Sequence, residues 1–272
     1  MKKIILIVGM LMITCLWAGS VLAETLEIPG SGACEVVLKE MAAIFNVQHP
    51  GHEVIIPRSI GSKGGISSVI TNKNLIGRTS RPLEGEETKY GLQYLVFARD
   101  AVIFAVGPKV KVQDLTSTQL TDIFSGKIDN WEQVGGHKDV IRVLIRQPGE
   151  TSFRVIQQNL KPFQQITFTD RSKVLYHDYE MLNMLTKYGT AIGWVTLSSI
   201  FISQTIKPVA IDHIPATPEN VLAGKYKLVS DYALIYKENR LNELAKKFVD
   251  FIFSDSGKQI MEKHGLITMG RR

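Results

Sequence analysis

Cysteine is almost absent from this sequence: 272 residues carry two, Cys15 and Cys34. Cys15 lies in an apolar N-terminal run, so beyond that run one thiol remains and no intrachain disulfide framework can form. Stability must come from a packed core. Long hydrophobic runs are also missing after Trp17, where no stretch approaches the roughly 20 apolar residues of a membrane span. Basic clusters are missing too. The 32 Lys and Arg are scattered among 26 Asp and Glu along the whole chain, which argues against a nucleic-acid-binding face. Histidine is sparse, at 6 residues; His49 and His52 are the only close pair, read as surface residues flanking Pro50-Gly51, and without a third neighbour they do not make a metal site. No Gly-Lys-Ser/Thr phosphate loop occurs, and Glu35 stands where a dinucleotide fingerprint needs its last glycine. No cofactor is expected.

What is present begins with a leader. Lys2 and Lys3 precede the apolar run Ile4 to Trp17, and Val21-Leu22-Ala23 ends in the small residue that favours cleavage before Glu24. Thr14 precedes Cys15 where lipid attachment wants Gly, Ala or Ser, so the expectation is release into the periplasm after removal of residues 1–23. The mature chain keeps 30 basic and 26 acidic residues, a net charge of +4. Its length suits one large or two medium domains, and a monomer is expected.

Strand-like and helix-like runs alternate along the chain, which predicts an α/β architecture. Val37, Met41, Ile44 and Phe45 repeat at helical spacing, as do Ile66, Val69 and Ile70. Ala101 to Val106 is a continuous apolar run of the kind found in a strand covered on both faces, and a candidate crossing between domains. Val140 to Ile145, Ala191 to Leu197 and Tyr232 to Tyr236 read as further strands, the last bringing the chain back. Leu241, Leu244, Ala245, Phe248, Phe251 and Ile252 mark an amphipathic helix, and Ser254 or Asp255 caps a shorter one that Gly265 ends.

Three turns stand between such strands and helices: Gly30-Ser31-Gly32-Ala33-Cys34, Gly61-Ser62-Lys63-Gly64-Gly65, and Arg146-Gln147-Pro148-Gly149-Glu150-Thr151-Ser152. A helix N-terminus offers unpaired N–H groups and the positive end of the helix dipole, and glycine lets a ligand approach the backbone. Any one such turn is more often a plain connection. Three together, one with an arginine, form a candidate cradle for a small oxyanion.

These turns, with Thr79-Ser80-Arg81-Pro82-Leu83, the stretch Leu115-Thr116 through Ile123-Phe124-Ser125-Gly126-Lys127-Ile128 to Asn130-Trp131, Gly189 to Val195, and Thr217-Pro218-Glu219-Asn220 with Gly224-Lys225-Tyr226, resemble the periplasmic phosphate-binding proteins that feed ABC importers. The resemblance implies a type II, two-lobed periplasmic-binding-protein-like fold with lobes joined by two crossing strands. Lobe 1 would comprise residues 24–105 and 227–272, and lobe 2 residues 106–226. It implies capture of phosphate by lobe closure and delivery to an inner-membrane ABC permease, without catalysis. The implied ligand-binding residues are Ala33 and Cys34, Ser62, Ser80, Arg81, and Arg146 with Glu150, Thr151 and Ser152.

Two departures from that family keep ligand identity open. Arg81 stands where the proton-accepting aspartate is expected, and Glu150-Thr151-Ser152 replaces a Ser-Gly-Thr run. Either Glu150 takes over the acceptor role, or it pairs with Arg81 and the pocket accepts sulfate or another oxyanion, or it is merely solvated at the cleft rim. A role as an anion sensor remains a further alternative. A secreted hydrolase using Cys34 or a Ser with His is disfavoured, because no His lies near any of the three turns.

Overall fold

The computed structural model describes residues 24–147, 150–176, 178–200 and 205–271. The expected leader, and Pro148 and Gly149 of the third turn, lie outside the described residues. In chain order the first elements are β1 (Glu24–Glu27), α1 (Glu35–Gln48), β2 (His52–Ile55), α2 (Gly61–Ile70), β3 (Ile76–Thr79) and β4 (Gln93–Val106). Then follow β5 (Asp114–Leu115), α3 (Ser117–Ser125), β6 (Arg142–Arg146), α4 (Thr151–Asn159), β7 (Lys173–Leu175), α5 (Asp178–Tyr188), β8 (Ala191–Thr196) and α6 (Leu197–Ile200). The chain closes with β9 (Lys207–Pro208), β10 (Ala210–Ile211), α7 (Pro218–Leu222), β11 (Val229–Tyr236), α8 (Glu243–Ile252), α9 (Asp255–Lys263) and β12 (Ile267–Thr268).

The architecture is α/β and two-lobed, and β4 is the element that makes it so. Its first part pairs antiparallel with β11, from Gln93 opposite Tyr236 to Ala101 opposite Val229; its second part, Val102 to Val106, pairs antiparallel with β8. One strand thus serves two sheet neighbourhoods, and β11 brings the chain back beside it. The apolar run expected as a crossing, Ala101 to Val106, is the second half of this longer strand. Around it the order is β3-β11-β4-β8-β6-β7.

Two cores lie on either side of this crossing. One gathers Phe104, Phe124, Phe163 and Trp194 with the apolar face of α3 and the strands β6 and β8. Phe104 and Trp194 each lie within 5.5 Å of another ring of this cluster, and such pairs add about 0.5–1.5 kcal/mol each beyond area burial. The other packs α1 (Val37, Leu38, Met41, Phe45) against α8 and α9, so the C-terminal helices return to the first lobe. Phe45 meets Phe248 edge-on at 5.2 Å. His49 stacks on Phe45 at 4.0 Å, so it is a half-buried packing residue rather than the surface residue its Pro-Gly neighbours suggested.

Candidate functional site

A cavity of about 660 Å³ opens between the lobes and is lined from both. The first lobe contributes Ser31, Gly32, Ala33, Ser59, Gly61 and Ser62; the second contributes Arg146, Glu150, Thr151, Ser152, Thr196 and Ser198; Val102, Ser230 and Tyr232 come from the crossing strands. All three turns singled out in the sequence therefore converge on one space. The second differs in detail, since Gly61 to Gly65 is already the first turn of α2 and not the loop before it.

Helix capping marks α1 and α2 as different. Helices α3, α7, α8 and α9 each have a side chain at the N-cap accepting from a backbone N–H: Thr116, Thr217, Asn242 and Ser254. At α1 and α2 the N-cap residues, Cys34 and Ile60, make no side-chain cap bond. Two of the helices whose N-termini face the cavity, α1 and α2, thus lack the side-chain bond at the N-cap that these other helices have.

The third turn is occupied by the chain itself. Glu150 is the N-cap of α4, and its Oε2 accepts from Ser152 N at 2.9 Å, from Phe153 N at 3.3 Å and from the Ser152 hydroxyl. Its Oε1 lies 4.0 Å from a guanidinium nitrogen of Arg146. A carboxylate thus sits where an external anion would sit at a helix N-terminus. Arg146, at the end of β6 and almost fully buried, also donates to Tyr176 O at 2.9 Å, which fixes its guanidinium beside the cavity. Trp194 Nε1 donates to Ser152 Oγ at 3.1 Å, tying the turn to the aromatic core.

Ser80 and Arg81 are placed differently. Ser80 does not line this cavity, yet its hydroxyl accepts from Ser31 Oγ at 2.9 Å and lies 3.3 Å from Ser62 Oγ, so it links the first two turns from behind. The Arg81–Glu150 pair, one of the three alternatives for Glu150, does not form. Glu87, held in the single 3-10 turn after β3, takes both guanidinium nitrogens of Arg81 at 2.7 and 2.8 Å, because a bidentate carboxylate six residues away is already in reach. Arg81 lines a second cavity of about 400 Å³ with Arg99 and Arg154, but each arginine there faces an acid: Arg99 lies 3.0 Å from Asp231, and Arg154 lies 3.7 Å from Glu84. Paired in this way they leave little charge for an anion, which favours the first cavity.

Cys34 presents no reactive thiol. It is fully buried, its Sγ donates to Thr79 O at 3.4 Å, and burial pushes its pKa up to about 12. The nucleophile role considered for a hydrolase requires a thiolate, which this environment disfavours. What the Cys34 position can offer a ligand is backbone.

Two buried charges were not anticipated from the sequence. Arg78, on β3, donates Nε to Ser31 O at 2.8 Å, one NH group to Ile28 O and the other to Pro57 O at 2.8 Å. It clasps the loops leading into α1 and α2. Gly30 and Gly65 make room for it: a Cβ on Gly30 would fall 1.9 Å from Arg78 O, and one on Gly65 would fall 2.7 Å from the same atom. Gly30 also has φ +143°, a region that favours glycine. Asp100, on β4 beside the crossing, accepts from Ser198 N at 3.1 Å, from the Ser198 hydroxyl and from Tyr232 OH at 3.0 Å. The available signal was a charged residue inside an otherwise apolar strand, Ile76-Gly77-Arg78-Thr79 and Ala98-Arg99-Asp100-Ala101.

Burial pushes the Asp100 carboxyl up from 3.8 to about 6, against the pull of Ser198 and Tyr232. A raised carboxyl pKa means that between these values the folded state binds the proton that the unfolded state has released. Stability from this group is therefore present below about pH 4 and is lost as pH rises through about 6, a swing of roughly 3 kcal/mol. Asp100→Asn should lack the swing. Urea unfolding at pH 4.5 and 7.5 is expected to show the variant gaining on the parent toward neutral pH by roughly 2 kcal/mol, the part of the swing that lies above pH 4.5. An unchanged difference between the two pH values would contradict it.

A PBP superfamily domain model matches residues 18–256. The chain belongs to this superfamily. A solved structure from Clostridium perfringens, described as a phosphate ABC transporter substrate-binding protein with bound phosphate, is similar with a TM-score of 0.76 and 31% identity, over 90% of this chain and 99% of that one. The phosphate-binding protein PstS of Borreliella burgdorferi is 26% identical over 98% of this chain and 99% of its own length. An ABC-type phosphate transport receptor from Vibrio cholerae, 24% identical, shares the fold with a TM-score of 0.74 over 90% of this chain and 100% of that one. Among the described residues no helix is long and apolar enough to cross a membrane, and no group of three His, Cys, Asp or Glu could hold a metal ion.

Proposed function

We propose that this chain is an extracytoplasmic solute-binding protein that captures phosphate between its two lobes and delivers it to an ABC-type importer. The observation that carries the reading is the convergence of α1, α2 and the Arg146 turn on one interlobe cavity, in a chain 31% identical to a structure with bound phosphate. Ala33, Cys34 and Ser62 supply backbone and hydroxyl donors from lobe 1, with Ser80 bracing them. Arg146, Thr151 and Ser152 supply charge and hydroxyls from lobe 2. Lobe 1 comprises residues 24–105 and 227–272, lobe 2 residues 106–226, and closure bends the chain where β4 crosses between the lobes and just before β11 near Leu228. Residues 1–23 direct export, the mature protein works as a periplasmic monomer, and its partner is an inner-membrane permease. Binding does no chemistry on the ligand, consistent with a buried, un-ionised Cys34.

Glu150 favours a second reading. Its carboxylate already satisfies two amides of α4, so the site offers fewer donors to a tetrahedral anion of four oxygens than three empty helix ends would. Either its remaining oxygen, Oε1, accepts the phosphate proton beside Arg146, or the site takes another oxyanion such as sulfate. Calorimetric titration of refolded, ligand-free mature protein with phosphate, repeated in excess sulfate, separates these. Tight phosphate binding that sulfate cannot displace supports phosphate uptake. Displacement by sulfate supports the second reading, and binding of neither anion rejects both.

A further inference from the structure

The hydroxyls that line the cavity near the crossing strands have a fixed polarity. Ser198 and Tyr232 both donate their only proton to Asp100, an acceptor that carries no proton when ionised. Asp100 itself is 1% exposed and does not line the cavity; Ser198 and Tyr232 do. Ser198 Oγ lies 3.1 Å from Thr196 Oγ1, which in turn lies 2.7 Å from Ser199 Oγ, so the carboxylate orients a chain of hydroxyls along one wall. We propose that Asp100 is a positioning residue for anion selectivity, turning the lone pairs of Ser198 toward the ligand so that this wall accepts hydrogen bonds and rejects an oxyanion with no proton to give.

The proposal rests on the phosphate-binding reading and extends it from which residues hold the anion to which protonation state they admit. A wall of donors would treat sulfate and phosphate alike. A wall of acceptors faces a repulsive lone-pair contact with sulfate and a hydrogen bond with the P–OH of phosphate. The same contacts tie lobe 2, through Ser198, to the crossing strands, so the polarity is set where the lobes meet.

The groups packed around Asp100 do not supply an alternative charge balance. From β11 comes Tyr232, and from the start of α1 the buried Cys34, beyond which Arg78 of β3 is engaged with three backbone carbonyls. Arg99, its neighbour on β4, is paired with Asp231. His264 lines the cavity and is held by Glu40 at 2.7 Å, so its contribution must be controlled for.

The test is calorimetric binding of phosphate and of sulfate to the mature parent, Asp100→Asn and Ser198→Ala. An Asn side chain donates as well as accepts, so at least one hydroxyl must turn its proton toward the cavity. Asp100→Asn is expected to strengthen sulfate binding and weaken phosphate binding, narrowing their affinity ratio by about tenfold or more. Sulfate affinity of the parent is expected to rise as pH falls from 7 to 5 and to stay flat in Asp100→Asn, where any His264 effect would persist. Ser198→Ala leaves the carboxylate in place and should also narrow the ratio, which covers the case in which Asp100→Asn fails to fold. A parent that binds phosphate while both variants keep its ratio within twofold overturns this proposal alone. A parent that binds neither anion overturns the phosphate reading and this proposal with it.

Discussion

Arg146→Met is expected to weaken phosphate binding by about 10²–10⁴-fold. The estimate follows from two charge-assisted hydrogen bonds of about 1.5–3 kcal/mol each, which a planar guanidinium can direct at one anion and a thioether cannot. The side chain is prepared for that role. It is 6% exposed, it is held by Tyr176 O at 2.9 Å, and Glu150 lies on its other side at 4.0 Å, so little rotamer freedom remains to be lost when the anion arrives. Arg146→Lys separates charge from geometry: an ammonium keeps the attraction but loses the fork, and an affinity between those of the parent and Arg146→Met is expected. Titration calorimetry of the three proteins reads all of this. A methionine variant within threefold of the parent would remove Arg146 from the site.

The three turns and the alternation of strands and helices were legible because each is written locally. Glycine and serine before an apolar periodicity identify a strand-to-helix junction whatever the tertiary context. The crossing was legible in part: Ala101 to Val106 announces burial on both faces, but the continuation back to Gln93 depends on β11 pairing along Gln93 to Ala101, which no local pattern encodes. Ion-pair partners were not legible. Arg81 met Glu87 rather than Glu150 because a carboxylate close in sequence was held by its own turn, whereas Arg81 and Glu150 line different cavities. The capping role of Glu150 was open to inference, since an acid at the residue before a helix accepts from its first amides. Asp100 and Arg78 were visible as anomalies, charges in apolar strands, but their partners are backbone carbonyls and hydroxyls contributed by segments 21 to 132 residues away.

Arg78→Met is expected to lower both stability and affinity although the residue does not line the cavity. The guanidinium is fully buried and is met by one carboxylate only at a distance, Glu35 at 3.5 Å, so its burial carries a desolvation cost that holds its pKa below the usual value. Removing it recovers that cost but strands the carbonyl oxygens of Ile28, Ser31 and Pro57, at about 1–3 kcal/mol for each acceptor left without a donor. Three lost partners outweigh one recovered charge, and a net destabilisation of roughly 2–4 kcal/mol is expected in urea unfolding. The functional consequence follows from where those carbonyls are. Ser31 O belongs to the turn before α1 and Pro57 O to the loop before α2, so the N-terminal ends of α1 and α2 lose their common anchor, together with the positive charge behind them. Phosphate affinity should fall by about tenfold or more, and Arg78→Lys should recover little of it, because one ammonium cannot reach three carbonyls arranged for a fork. If Arg78→Lys restored parental affinity, the buried charge alone would be what matters and the clasp on the two turns would be incidental.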